Sequence, residues 1–445
     1  MVTIEPANVR AADETTPPTM YEARRVYLPE DVPEVPSNEI PAAVRRELEA
    51  LKGRVHPGAR VAIATGSRGI ANHAAIVKAC GEAVRAAGGH PFIMPAMGSH
   101  GGATAEGQRD VLLGYGITPA AMGMDIVSDM SVRQIGALPS GLPIYVSVTA
   151  LESDQVLLVH RIKPHTDFRG PIESGLAKIC AIGLGKQRGA ETIHHVGLKG
   201  LTQYMVQVAR HIIENTGKIV GGLGILENAL DRTASVHWVP PEDIGGPGEA
   251  VLQARSKTLL AVLPFDDLDV LIVDEMGKDV SGTGMDTNVV GRVCVAKAPQ
   301  FDRPQIAIVA VLDLTEETRG NASGLGVADV TTVRLLEKVD WHKTWMNGYT
   351  SGLTGVQRSR IPMVFPDDRE AIAAAIQMSG ETDPARVRLV RIKNTLEVAR
   401  MQISAGLLAE AAEKGLSVEP EGKPFDFDAV NHLVTPAPRA AIPSR

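Results

Sequence analysis

Short apolar runs alternate with amphipathic, helix-like stretches along most of the chain, and this alternation is the strongest constraint on its fold. The runs short enough for buried strands are 60–64, 90–97, 155–162, 268–273, 305–312 and 387–392. The helix-like stretches are 39–52, 74–87, 104–114, 201–215, 327–336, 368–377 and 396–413. Strands that alternate with helices build parallel sheets from βαβ units. We therefore predict an α/β fold with mostly parallel sheets.

The chain is 445 residues long, which at roughly 150 residues per domain predicts two or three domains. Residues 240–248 are rich in Pro, Gly and acidic residues, which is typical of a domain boundary or a lid loop. We expect two α/β domains with the active site in the cleft between them. The predicted segments are a flexible leader over 1–20, an N-terminal domain over 21–254, a C-terminal domain over 255–434 and a flexible tail over 435–445.

The composition excludes several classes of protein. The net charge is −7 and aromatic residues make up 4% of the chain, so it lacks the basic, stacking surface that binds nucleic acid. No apolar run approaches the ~20 residues of a membrane span. The N-terminus lacks the apolar core of a secretory signal, so we expect a cytoplasmic protein. The sequence leaves open whether the protein forms a homodimer. The cysteines are too few for a disulfide framework and too far apart for a zinc knuckle: Cys80, Cys180 and Cys294.

Two glycine-containing turns repeat one pattern after the first two predicted strands. They read Gly66-Ser67-Arg68-Gly69 and Gly98-Ser99-His100-Gly101, and they are about one βαβ unit apart. The carboxyl ends of parallel strands meet at one edge of a sheet, where glycines let a ligand approach and helix N-termini favour anions. We expect Arg68 to bind an anion and His100 to act as a base in one crevice. The alternative is that these small residues only form turns.

The segment 160–195 concentrates residues that can carry out chemistry, including four of the twelve histidines. His165 follows the predicted strand 155–162. Lys178 lies in an apolar run, where burial would lower its pKa and make it a nucleophile or an attachment point. The alternative is an ordinary half-buried surface lysine. His194 and His195 are adjacent, and neighbours on a helix diverge by about 100°, so both cannot easily bind one metal.

Together these motifs resemble the lactate racemase family, which uses a nickel-pincer nucleotide. The resemblance covers about 60–197, and its order and spacing make it specific. The matching positions are Arg68, Gly98-Ser99-His100, the segment 135–141 (IGALPSG), His165, Ser174-Gly175-Leu176-Ala177-Lys178 and Thr192-Ile193-His194-His195.

The resemblance implies an isomerase that inverts the carbinol carbon of a 2-hydroxy acid by hydride transfer to the cofactor. His100 and His165 would be the acid and base, and His195 (or His194) would ligate nickel. The cofactor, pyridinium-3,5-bisthiocarboxylic acid mononucleotide, would be covalently held on Lys178. It would come from dedicated cofactor-synthesis enzymes. Arg68 would hold the substrate carboxylate or a cofactor phosphate, and the other cofactor-binding positions would be Gly66, Ser67, Ser174 and Gly175.

Departures from the family pattern indicate a substrate other than lactate. The aspartate of the family's first turn is Thr65 here, and Gly101 replaces the arginine after the first catalytic histidine. Residues 274–286 also occupy the place of the family's substrate-facing loop but lack the sequence pattern of that loop. We expect a different 2-hydroxy acid or a sugar acid. Residues that follow the strand 268–273 and could bind this substrate in the cleft are Lys278, Asp279 and Ser281.

Two other functions stay open from the sequence. One is a Zn- or Fe-dependent hydrolase or lyase that uses His100, His165 and His195, because imidazole suits several metals. No acidic residue stands at a clear metal spacing near these histidines. The other is a non-catalytic binding protein that keeps the fold, which the joint presence of His100, His165 and Lys178 argues against.

Overall fold

The computed structural model describes residues 5–7, 10–67, 69–296 and 298–434, and it divides the chain into two compact units. The central unit is Tyr27–Leu260. The terminal unit joins the residues before Tyr27 to those after Leu260. No helix in the described part of the chain is both long and apolar enough to cross a membrane.

In chain order, the strands of the described residues are β1 (Met20–Arg24), β2 (Arg60–Thr65), β3 (His90–Pro95), β4 (Val132–Ala137), β5 (Pro143–Ser147), β6 (Gln155–Arg161), β7 (Ile219–Glu227), β8 (Thr233–Val239), β9 (Asp267–Met276), β10 (Gln305–Leu314), β11 (Val330–Thr332), β12 (Met363–Phe365), β13 (Leu389–Ile392), β14 (Arg400–Ser404) and β15 (Ser417–Val418).

The α-helices are α1 (Ala11–Glu14), α2 (Ile40–Glu47), α3 (His73–Ala86), α4 (Ala105–Gly114), α5 (Pro119–Met122), α6 (Val148–Glu152), α7 (Leu176–Lys178), α8 (Lys186–His195), α9 (Met205–Thr216), α10 (Pro247–Thr258), α11 (Thr287–Val290), α12 (Val333–Glu337), α13 (Trp341–Thr350), α14 (Gly352–Arg358), α15 (Asp368–Ser379) and α16 (Leu408–Glu413). Short 3₁₀ turns lie at Leu48–Leu51, Gly101–Ala103, Pro241–Asp243, Leu325–Val327 and Ala405–Leu407, and π-helical turns lie at Ile179–Gly183 and Gly200–Tyr204.

The central unit is built on a sheet with the strand order β3-β2-β6-β7-β8. The first four strands are parallel, and β8 is antiparallel to β7. Val61 through Ala64 of β2 are all buried, because hydrophobic clusters cover both faces of the sheet. β4 and β5 form a separate antiparallel hairpin. This sheet confirms the predicted α/β fold.

The terminal unit has its own sheet, in the order β12-β11-β10-β9-β13-β14-β1-β15. The strands from β12 to β13 are parallel, and β14, β1 and β15 add an antiparallel edge. β1 pairs with β14, with Met20 opposite Ser404 and Arg24 opposite Arg400. The chain's N-terminal and C-terminal parts therefore complete one sheet.

The predicted leader and domain boundaries differ from the two units. Residues 11–14 of the leader 1–20 form α1, whose Ala11 is buried, and Met20 begins β1. The units divide at 26/27 and 260/261, whereas the prediction was 21–254 and 255–434. The segment 240–248 is no boundary, because it leads into α10 within the central unit. The predicted tail 435–445 lies outside the described residues, and the cleft between domains stays a prediction.

Most predicted strands are confirmed, but two helical predictions are partly wrong. The stretch 327–336 contains β11 before α12, and 396–413 contains β14 before α16. β11 consists of the β-branched residues Val330, Thr331 and Thr332, which favour strands. Both strands gain hydrogen bonds from other strands of the sheet, β11 from β10 and β14 from β1 at the other end of the chain, and a local periodicity does not encode these pairings.

Candidate active site

Three neighbouring strands of the central sheet bring the predicted turns to one edge. β2 lies between β3 and β6 and runs parallel to both, with Thr65 opposite Pro95 and Val159. Ser67 follows β2, His100 follows β3 and His165 follows β6. Neighbouring strands are about 4.8 Å apart, so β3 and β6 are separated by roughly 10 Å. A small ligand above the end of β2 would therefore have a histidine-bearing turn on either side.

The first two turns are joined directly, because Ser67 Oγ and His100 Nδ1 form a hydrogen bond. Ser67 is buried and His100 is exposed. The Tyr115 hydroxyl donates to the backbone carbonyl of Ser67, which fixes the serine from the other side. With Nδ1 of His100 engaged by Ser67, the ring can exchange a proton with a substrate only through Nε2. Arg68, the predicted anion ligand of the same turn, lies outside the described residues.

Glycine is required in these turns for close packing. Gly98 and Gly101 have φ of +61° and +66°, in the left-handed region that favours glycine. A Cβ on Gly101 would lie 2.5 Å from the backbone of Gly107 at the start of α4. A Cβ on Gly66 would lie 2.5 Å from the ring of His160 on β6. The nearby His160 ring therefore explains why position 66 is a glycine. A role of Gly66 in cofactor binding stays a prediction.

A buried lysine supports the second turn, and the sequence analysis missed it. Lys186 is fully buried, and its Nζ donates to the Pro95 carbonyl at 2.6 Å and to Gln108 Oε1 at 3.0 Å. Gln108, also fully buried, donates through Nε2 to the Gly98 carbonyl at 2.8 Å. Burial lowers the pKa of Lys186 to about 8. Lys178, which was expected to be the buried lysine, is only half-buried.

The His165 ring is held by Phe168 and Asp167 of its own loop. It stacks on Phe168 with ring centroids 4.8 Å apart. Asp167 N–H donates to His165 Nδ1 at 3.1 Å, so the neutral ring carries its proton on Nε2. The Asp167 carboxylate lies 4.0 Å from the same Nδ1. Asp167 therefore approaches the His165 ring with both its backbone N–H and its carboxylate.

A fully buried glutamate organises the His165 loop. Glu173 is 0% exposed, and its carboxylate accepts hydrogen bonds from the backbone N–H of His165 at 2.8 Å and of Gly170 at 2.9 Å. Arg169 lies 3.6 Å from the same carboxylate and donates to the His165 carbonyl. Glu173 was not predicted, because nothing in the local sequence distinguishes it from a surface glutamate.

Lys178 and His194 are close enough to interact electrostatically. Burial lowers the pKa of His194, the charge of Lys178 lowers it further, and the Asp167 carboxylate opposes both effects. His195, the next residue of α8, is exposed. Which of His194 and His195 would ligate nickel stays a prediction.

The turn that precedes Lys178 is packed against protein. A Cβ on Gly175 would lie 2.4 Å from Glu249 Oε1, so this glycine makes room for a carboxylate. Ser174 is buried, and its carbonyl accepts a hydrogen bond from Lys163 N–H at 2.9 Å. The π-helical turn Ile179–Gly183 follows Lys178 directly, and such turns are frequent at functional sites. Cofactor binding by Ser174 and Gly175 stays a prediction.

The predicted substrate residues of the terminal unit lie in the loop after β9 and contact that loop's own surroundings. Lys278 Nζ donates to the Gly282 carbonyl at 2.6 Å. Asp279 Oδ1 accepts a hydrogen bond from the Thr315 hydroxyl at 2.6 Å, and Ser281 Oγ lies 3.2 Å from Thr283 Oγ1. Their role in substrate binding stays a prediction.

No group of three His, Cys, Asp or Glu side chains among the described residues is arranged to hold a metal ion by itself. The cysteines are free thiols, with Cys80 and Cys180 buried and Cys294 partly buried.

The central unit thus belongs to the class of α/β proteins that collect polar side chains at the carboxyl edge of a parallel sheet. Residues 15–203 match the family model of the lactate racemase N-terminal domain. This match supports the resemblance to the lactate racemase family that the sequence predicted, over that part of the chain. No curated protein matches it.

Two solved structures are similar to the chain over most of its length. One is the lactate racemase apoprotein from Thermoanaerobacterium thermosaccharolyticum, with 13% identity and a TM-score of 0.46, covering 84% of this chain and 88% of that one. The other is a Thermotoga maritima protein, with 11% identity and a TM-score of 0.48, covering 82% of this chain and 98% of that one.

Proposed function

We propose that the protein is a racemase or epimerase that inverts the carbinol carbon of a small 2-hydroxy acid or sugar acid other than lactate. The observation that carries the proposal is the sheet order β3-β2-β6, which puts the turns of His100 and His165 on either side of β2 at one edge. Inversion needs an acid and a base on opposite sides of a planar intermediate, and histidine titrates near neutral pH.

His100 acts through Nε2. When its Nδ1–H donates to Ser67 Oγ, Nε2 carries a lone pair and can accept the proton of the substrate hydroxyl. The resulting imidazolium keeps the hydrogen bond, since the serine oxygen is still an acceptor. Ser67 therefore orients the ring, and its oxygen can accept from Nδ1–H in the tautomer that works as a base.

His165 provides the complementary proton transfer from the other side. In its charged form both ring nitrogens carry protons, and Nδ1–H turns towards the Asp167 carboxylate while Nε2–H faces the substrate. After donation the neutral ring keeps its proton on Nδ1, and the tautomer that accepts the Asp167 N–H forms again when Nε2 takes up a proton and Nδ1 releases one. The reverse reaction uses the same two residues with their roles exchanged. Arg68, next to Ser67 in the chain, is the proposed ligand of the substrate carboxylate.

The residues around Lys178 suit a nickel-pincer nucleotide. The Lys178 amine would form the covalent attachment, and the half-buried imidazole of His194 is a ligand type that nickel accepts. When bound, this cofactor would supply a two-electron acceptor for the hydrogen on the substrate Cα.

The test is an inversion assay on the full chain, produced together with the cofactor-synthesis enzymes. A panel of single-enantiomer 2-hydroxy acids and sugar acids is incubated with the protein, and the products are separated on a chiral column. We expect inversion of at least one substrate, and its loss in His100→Gln and His165→Gln. His90→Gln is the matched control, because His90 is exposed at the opposite end of the strand that leads to His100.

Metal analysis of the same preparation separates this function from the alternatives. Nickel together with an added mass on Lys178 supports the proposal. Zinc or iron without an added mass would favour a metal-dependent hydrolase or lyase that uses the same histidines. No inversion of any substrate by a nickel-loaded protein would contradict the proposed function.

A further inference from the structure

One face of α10 carries three polar side chains spaced four residues apart, Glu249, Gln253 and Lys257. Residues at this spacing lie above one another on a helix. Glu249 and Gln253 are each only 1% exposed, so their polar atoms must find partners within the protein. We name these three residues the α10 stripe. It lies beyond residues 15–203, the part that matches the family domain.

The first member of the stripe holds the turn that leads to Lys178. The Glu249 carboxylate accepts hydrogen bonds from the backbone N–H of Ala177 at 3.1 and 3.2 Å and of Gly245 at 2.7 Å. A side chain on Gly175 would collide with it. Burial raises the pKa of Glu249, and these backbone hydrogen bonds oppose that effect. The carboxylate thus fixes the peptide groups just before Lys178.

The second member holds the middle of the same segment. Gln253 Oε1 accepts hydrogen bonds from the backbone N–H of Glu173 at 3.1 Å and of Ser174 at 3.2 Å. Its Nε2 lies 3.3 Å from Ser256 Oγ, which fixes the orientation of the amide. Gln253 therefore determines where the backbone of Glu173 lies.

The third member reaches the His165 loop through Glu173. Lys257 Nζ lies 2.6 Å from Glu173 Oε1 and donates to the Gly170 carbonyl at 3.0 Å. The same Glu173 carboxylate accepts the backbone N–H of His165. The Lys257 side chain is 36% exposed, so it can be replaced without opening the hydrophobic core.

We infer that the α10 stripe positions His165 and Lys178 relative to each other for the proposed reaction. Glu249 contacts one end of residues 165–178, Lys257 acts on the other end through Glu173, and Gln253 lies between them. Because all three side chains project from one helix, α10 sets the distance between the two ends of residues 165–178. The members of the stripe are positioning residues that act through others, and the inference rests on the proposed function.

The test compares Lys257→Met with Lys257→Arg and with Arg255→Met as the matched control. Arg255 is an exposed cation on the same helix but outside the stripe. Each variant of the full chain is loaded with cofactor and assayed for kcat and KM on an inverted 2-hydroxy acid. Amide hydrogen exchange over 165–177 and the urea midpoint are measured on the same proteins.

We expect Lys257→Met to lower kcat by about tenfold with little change in KM or in the urea midpoint, since a small displacement of a proton-transfer group is costly. Exchange of the His165 and Gly170 amides should become faster. Lys257→Arg should restore both, and Arg255→Met should match the wild type. If Lys257 had only a structural role, its replacement would shift the urea midpoint. kcat and the amide exchange rate would then change in proportion to each other.

Several results would overturn the inference. One is a Lys257→Met protein whose kcat and exchange equal those of Arg255→Met, and another is faster exchange at an unchanged kcat. A nickel-loaded wild type with no inversion activity contradicts the proposed function instead. In that event the exchange comparison alone decides whether the stripe holds residues 165–177.

Discussion

Ser67 Oγ is hydrogen-bonded to His100 Nδ1, and this contact joins the turns that follow two neighbouring parallel strands. The two turns share the pattern Gly-Ser-x-Gly in the sequence. The shared pattern is therefore more than a repeated turn: the serine of one turn orients the histidine of the other.

Replacing Ser67 should impair catalysis without unfolding the protein. Ser67→Ala removes the partner of His100 Nδ1, so the ring loses the contact that orients it. A hydrogen bond of this kind contributes ~1.4 kcal/mol, which corresponds to about a tenfold loss in kcat/KM for inversion. Ser99→Ala is the matched control, because the exposed Ser99 holds the same position in the second turn. Equal kcat/KM in the two variants would contradict the role of Ser67.

The two adjacent histidines should differ in nickel binding. His194 shares a charged neighbourhood with Lys178, whereas His195 is exposed. We expect His194→Ala to lose most of the bound nickel and His195→Ala to keep it, as measured by elemental analysis of protein produced with the cofactor-synthesis enzymes. Intact mass should show the adduct on Lys178 in His195→Ala. The opposite pattern of nickel content would assign the ligand to His195.

His73 should make the protein less stable in mild acid. Its Nε2 is 2.7 Å from Thr65 Oγ1, and its buried Nδ1 has no hydrogen-bond partner among the described residues. Burial lowers the pKa of His73 from 6.5 to about 4, and the charge of Arg161 adds to this. The unfolded chain therefore takes up a proton first, and the stability contributed by neutral His73 is lost as the pH falls from about 6.5 to 4.

This loss amounts to about 3 kcal/mol of unfolding free energy. Urea unfolding at pH 7 and pH 4.5 should show a smaller decrease for His73→Gln than for the wild type. His56→Gln, which changes an exposed histidine, should decrease as the wild type does. A pH dependence that is the same in all three proteins would show that His73 is not responsible.

Lys186 should make the protein more stable in mild alkali. Burial lowers its pKa from 10.5 to about 8, so in this range the unfolded chain binds the proton and the folded chain does not. The unfolding free energy should therefore rise by up to about 3 kcal/mol as the pH increases from 8 to 10.5. Lys186→Met should lack this rise in urea titrations, while Lys52→Met, at an exposed lysine, should keep it. A rise of equal size in Lys186→Met would refute the assignment.

The parts of the fold that could be predicted are those with a local signal. Continuous apolar runs such as 60–64 identify strands buried on both faces, and their alternation with helices implies parallel sheets. Because the carboxyl ends of parallel strands lie at one edge, the sequence can predict that the turns of Ser67 and His100 lie close together. Strands whose partners are distant in the chain, such as β1 beside β14, have no such signal.

The buried polar residues of the site could not be predicted for the same reason. Lys186 is flanked by Gly185 and Gln187, which reads as a polar surface, and it is buried because Pro95 and Gln108 supply distant oxygen acceptors. Glu173 likewise can be buried because backbone N–H groups around it donate hydrogen bonds to its carboxylate. Local sequence pointed instead to Lys178, whose apolar neighbours are buried while it is only half-buried itself.

The central claim is inversion at the carbinol carbon with internal return of the Cα hydrogen, assisted by His100 and His165. The most direct measurement follows a single enantiomer that carries deuterium on Cα while the nickel-loaded protein inverts it in ordinary water. The account predicts that the product enantiomer retains the deuterium and that neither His100→Gln nor His165→Gln forms it. Washout of the label into solvent during inversion would contradict the account, because the carbon would then have been deprotonated by a base.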